Sequence, residues 1–143
     1  MNATTRNTLA FLAGVVALAV AKYAAMKLGN AVIPPPAGAD LSTIEGFKAA
    51  IPLYEMKHWI PAFFEHSVAS IAGGAAAAFV AVSHRMRLAL GVGALHMLGG
   101  IAAAGMLPLP IWVVIVDLAA MYLPMAWIGG KLGSRSLAYS PRA

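Results

Sequence analysis

Four apolar stretches set the limits on what this chain can fold into. Thr8 to Leu28, Ile60 to Val82, Leu88 to Leu107 and Ile111 to Ile128 each approach the roughly 20 residues a helix needs to cross a hydrocarbon layer about 30 Å thick. The links Ser83-His84-Arg85-Met86-Arg87 and Pro108-Leu109-Pro110 are short, which makes the helices they join antiparallel neighbours. The expectation is one all-α domain over residues 1–143, an integral-membrane four-helix up-down bundle with a single long outer loop at residues 29–59. Composition agrees. Of 143 residues 61% are apolar and 10% charged, and the mean hydropathy is +0.79, beyond the range of ordinary soluble domains.

Ten Lys and Arg against five Asp and Glu leave a net charge of +5. The basic residues are scattered singly around the apolar runs and form no basic face interleaved with aromatics, so nucleic acid is not an expected partner. Membrane orientation accounts for the excess instead. Arg6, Arg85, Arg87, Lys131, Arg135 and Arg142 fall on one side if both termini share it, and that side is expected to be cytoplasmic. The opposite side receives Lys48, Lys57, Asp40, Glu45 and Glu55, nearly neutral in sum. Trp59 and Trp112 are expected at the outer interface, Tyr122 and Trp127 toward the inner one. The absence of cysteine excludes disulfides, thiolate metal sites and a nucleophilic thiol.

Two readings of the first span stand side by side. Arg6 before an apolar run, with Ala19-Val20-Ala21 as a small-x-small site, has the form of a cleaved secretory signal; small residues at helix contacts give the same pattern in a retained span. The four-span reading is preferred. In the long loop, Ile33-Pro34-Pro35-Pro36 predicts a stiff extended entry, and Ser42-Thr43-Ile44-Glu45 has the form of a capping box. Ile44, Phe47 and Ile51 then follow at near-helical spacing before Pro52. This predicts a short amphipathic helix, either packed on the end of the bundle or acting as a functional lid.

Ionisable groups inside a membrane are costly, and each calls for a partner or a cavity. Lys22, Glu65, His66 and Asp117 come from three spans and lie roughly 9 Å below the outer end by helical rise. His96 lies deeper, at roughly 16 Å by the same count, which suggests a separate site. On the second span Phe64, Val68, Ile71, Ala75 and Phe79 form a bulky lipid-facing stripe, whereas His66, Ser70, Gly73 and Ala77 form a small one facing the interior. Ala89, Gly93, His96, Gly100 and Ala103 do the same on the third.

Several chemistries fit these residues. The group can act as a polar clasp that fixes helix register, or as a ligand- or proton-binding site of Lys22, Glu65, His66 and Asp117. Metal or haem binding through His66 and His96 lacks diagnostic ligand spacing, and no cofactor is expected. Pro124 predicts a kink in the fourth span, which either opens a pocket or is ordinary helix packing. Gly99-Gly100 and Gly129-Gly130 read as packing contacts or helix ends.

The run Ile33-Pro34-Pro35-Pro36, Lys57-His58-Trp59, His66, Ser83-His84-Arg85-Met86, Gly99-Gly100-Ile101, Leu107-Pro108-Leu109-Pro110-Ile111-Trp112, Asp117 and Gly129-Gly130-Lys131-Leu132 resembles an uncharacterised family of small bacterial proteins with four transmembrane helices. The resemblance covers most of the chain from Ile33 onward. It implies the four-span layout and a bacterial inner membrane, and carries over no activity or site. The leading expectation for function is a non-enzymatic accessory or assembly protein, partnered by the lipid bilayer and by a second copy or another membrane protein. A small transporter or ligand-binding protein is the alternative, and a metal or haem oxidoreductase the third reading.

Overall fold

The computed structural model describes residues 2–135; Arg142, assigned above to the inner side, lies outside them. Helix α1 (Ala3–Val32) is followed by the short α2 (Ile44–Ala50), then α3 (Ile60–Val80) and α4 (Arg85–Met106). The fourth span is built in three pieces: α5 (Ile111–Val116), a π-helical turn (Asp117–Met121) and α6 (Leu123–Arg135). Four helical segments are long and apolar enough to cross a membrane, and the all-α bundle has the expected up-down order.

The ends of the spans differ from expectation for identifiable reasons. α1 starts earlier because the Asn2 side chain accepts the Thr5 N–H at 2.8 Å, satisfying one of the orphan donors of the first turn. It runs on to Val32 and stops where Pro34 forbids a helical residue before it. α6 continues to Arg135, well past Ile128. In the loop, the N-cap is Thr43, whose Oγ1 accepts from the Gly46 N–H at 3.0 Å. The capping box expected at Ser42 and Glu45 is therefore not made, because Ser42 is engaged by Asp40. A reciprocal cap forms instead at Glu55 and His58, where His58 Nδ1 accepts the Glu55 N–H at 2.9 Å.

α3 is the central element, packed against α1, α4 and α6. Its approach to α1 depends on two glycines. A Cβ on Gly14 would lie 2.8 Å from both the Ala77 Cβ and the Gly73 carbonyl oxygen, and one on Gly73 would meet Leu18 and Val92 at 2.9 Å. Gly73, Ala77 and Val92 are buried, so this half of the bundle is closed by backbone-close packing. At the same end, the Asn7 side chain donates to Ser83 Oγ at 2.8 Å and accepts from the Val82 and Ser83 N–H groups. That places the start of α1 beside the α3–α4 turn, with Arg85 and Arg87.

The opposite end is built differently. α2 and two 3-10 turns fold over the helix ends, burying Ile51 and Trp59 against Val113, with Phe47, Tyr54, Phe63, Leu107 and Leu109 around them. Burying the two large side chains contributes on the order of 3–6 kcal/mol, enough to hold the cap on the bundle. Trp59 is thus a core residue of the cap and not an interfacial anchor, and its ring packs on that of Tyr54 at 4.9 Å between centroids with the planes tilted by 47°. Of the stripe expected to face lipid on α3, Phe64 and Phe79 are exposed, whereas the backbone at Ile71 and Ala75 is met by Gly129 and Gly133 of α6, because the small residues of α6 let it approach that side of α3.

Candidate intramembrane ligand site

Beneath the cap, the helices part around a cavity of about 480 Å³, within the range of small-molecule sites. Its roof is aromatic, from Phe47, Tyr54 and Trp59, and its floor is polar, from Lys22, Glu65, His66, His96, Asp117 and Tyr122. α1 supplies Lys22, α3 supplies Glu65 and His66, α4 supplies His96, and the π turn and its end supply Asp117 and Tyr122.

The four residues placed at one depth by helical rise are brought together. Lys22 Nζ donates to Glu65 Oε1 in an ion pair. The same carboxylate oxygen lies 3.9 Å from His66 Nε2, and His66 Nδ1 lies 2.7 Å from Asp117 Oδ1. The other oxygen of Asp117 accepts from the Tyr122 hydroxyl at 2.6 Å. An ionised carboxylate only accepts, so the Asp117 contact calls for a hydrogen on His66 Nδ1, which also lies 3.1 Å from the Tyr122 hydroxyl; with one proton on the imidazole, Nε2 is the bare nitrogen. Among the described residues no buried side-chain nitrogen or oxygen lacks a partner; His66 Nε2 has no hydrogen bond, so it is open to the cavity.

His96 is not a separate site. It shares a hydrogen bond of 3.0 Å with Ser70 Oγ, and Ser70 is one helical turn below His66 on α3. The depth read from the sequence therefore holds, but one turn is only about 5.4 Å. The two imidazoles bridge it, with centroids 5.4 Å apart and planes at 88°. The His96 ring also meets Tyr122 edge-on at 4.8 Å. This direct contact leaves no gap for a porphyrin between the histidines. Among the described residues no three His, Asp or Glu side chains converge to hold a metal ion.

Tyr122, expected near the inner interface, is fully buried in the cluster. In an α-helix it would point about 140° away from Asp117. The π turn over Asp117–Met121 widens the helix and returns both side chains to one side. Its origin is Pro124, which has no N–H for the carbonyl four residues back and crowds it, so the ladder is re-registered just upstream. Ser67 Oγ, donating to the Phe63 carbonyl at 2.7 Å and 2.9 Å from Met121 Sδ, ties the turn to α3. Gly100 makes room for the ring: a Cβ there would overlap the Tyr122 hydroxyl. Gly99, beside it, faces open space.

Comparison with family models, with curated proteins and with solved structures gives no match.

Proposed function

We propose that this protein is a small ligand-binding membrane protein that takes an amphiphilic molecule into the cavity beneath its outer cap. The observation that carries the reading is the placement of His66, anchored through Nδ1 on Asp117 with Nε2 open to a cavity of about 480 Å³. A clasp serving helix register alone gains nothing from such a cavity, and polar groups in hydrocarbon that line one are a functional hypothesis by default. The aromatic roof suits an apolar body, and the floor suits a polar end. The closed packing of Gly14, Gly73, Ala77 and Val92 below the floor favours binding from the loop side over passage through the bundle.

The cationic end of the bundle, with Arg6, Arg85, Arg87, Lys131 and Arg135, supports a bacterial inner-membrane location with both termini cytoplasmic. The cavity then opens toward the periplasmic side.

In nanodiscs, the neutral amphiphile 4-phenylbutanol is expected to raise the unfolding temperature of the native chain. It should not do so in Gly99→Trp, whose indole occupies the open space beside Gly99. Equal stabilisation of both would place the binding outside the cavity.

A further inference from the structure

The charges of the floor do not cancel. Lys22 is matched by Glu65, which it touches. Among the described residues Asp117 is hydrogen-bonded only with the Tyr122 hydroxyl and the His66 imidazole, both neutral donors when the imidazole carries one proton. The groups facing His66 are Lys22 from α1, Glu65 from α3, His96 from α4 and Asp117 and Tyr122 from the fourth span; His58 lines the cavity from the cap. With the imidazoles neutral, this set holds two carboxylates and one ammonium. One positive charge is missing from a cavity floor set between helices at membrane depth, where an uncompensated carboxylate is costly.

A second proton, on His66 Nε2, supplies that charge. So does a ligand with a cationic head. In the cavity a primary ammonium finds an acceptor in His66 Nε2, with the Glu65 carboxylate 3.9 Å from that nitrogen. An anion would add to the excess already present. Building on the ligand-binding reading above, we infer that the ligand is an organic amine bound as its cation, and that it competes with a proton for the site. The proton leaves His66 Nε2 for bulk water as the ammonium arrives, so the net charge of the site stays at zero.

The test uses three probes with one apolar body and different heads: 4-phenylbutylammonium, 4-phenylbutanol and 4-phenylbutanoate. Binding to the full chain in zwitterionic nanodiscs is followed by calorimetry in two buffers of different ionisation enthalpy. The expected order is cation, then alcohol, then carboxylate. About one proton should be released per cation bound while His66 is protonated, and affinity should rise about tenfold per pH unit there. Asp117→Asn should abolish the cation preference and the proton release while retaining the alcohol. His66→Gln, which keeps Asp117 and removes the competing proton, should bind the cation independently of pH, and serves if Asp117→Asn does not fold. Equal affinity for all three probes, preference for the carboxylate, or cation binding without proton release overturns the inference and leaves the cavity reading intact. Failure of all three to bind overturns both.

Discussion

Tyr122 follows Asp117 by five residues, yet its hydroxyl donates to Asp117 Oδ2 at 2.6 Å. A regular helix cannot make that contact, since residues five apart point about 140° away from each other. The π turn ahead of Pro124 is therefore part of the site. Pro124→Ala restores the missing N–H and lets the α-helical ladder run through. The expected result is an unfolding temperature that holds or rises, together with a fall of about tenfold in affinity for the amine probe. The latter corresponds to one lost hydrogen bond of about 1.4 kcal/mol.

Tyr122→Phe removes the hydroxyl from Asp117 and leaves the ring in place. A hydrogen bond to a charged group is worth about 1.5–3 kcal/mol, and the loss should appear in equilibrium unfolding. Gly100→Ala acts on the same contact from the other side, because its Cβ would overlap the Tyr122 hydroxyl. The two variants should show the same loss of probe binding, and combining them should cost less than the sum of the single effects.

Glycines that look alike in the sequence should separate in stability. At Gly14 an added methyl meets Ala77, Gly73 and Val92 within 2.9 Å, so Gly14→Ala should destabilise by about 1–3 kcal/mol through overpacking. At Gly99 it meets nothing within 4 Å, and Gly99→Ala should stabilise by up to about 1 kcal/mol through helix propensity. Thermal unfolding of the two variants in one detergent decides both.

The cap carries its own pH dependence. Asp40 Oδ1 accepts from the Ser42 hydroxyl at 2.6 Å and from the Ser42 N–H at 2.9 Å; first the hydroxyl and then the amide hold the carboxyl below its ordinary value. A depressed carboxyl contributes stability above its unfolded-state value, and that contribution is lost as pH falls through the folded-state value. Amide exchange at Ser42 should therefore accelerate, relative to its intrinsic rate, below the ordinary carboxylate range. Gly46, bonded to Thr43 Oγ1, should not follow, and Asp40→Asn should remove the effect.

Much of the site was legible because helical rise converts sequence position into depth. Lys22, Glu65, His66 and Asp117 share a level, and the small stripe of α3 places His66 inward. Depth alone sets His96 apart, whereas side-chain reach across one turn brings its ring to His66. Tyr122 is assigned to an interface by the aromatic-belt pattern, and a phase of 3.6 residues per turn, which the π turn breaks, gives no sign that it shares a side with Asp117. Pro124 was the available signal, read as a kink and not as a change of register. The cap residue moved from Ser42 to Thr43 because Ser42 had a nearer partner in Asp40, a local competition that a capping pattern does not describe.

Binding beneath the cap requires that the lining of the cavity be reached by water from the side of the long loop. Because the chain has no cysteine, single cysteines can be introduced at the lining residues Ala62 and Gly99, with Val16, exposed on α1, as the lipid-facing control. Each variant is then challenged in sealed vesicles with a membrane-impermeant thiol reagent from one side at a time. The prediction is labelling of Ala62→Cys and Gly99→Cys from the loop side only, slowed by the amine probe, with Val16→Cys unreactive. Labelling of the lining positions only from the side of the termini, or from neither side, would contradict it.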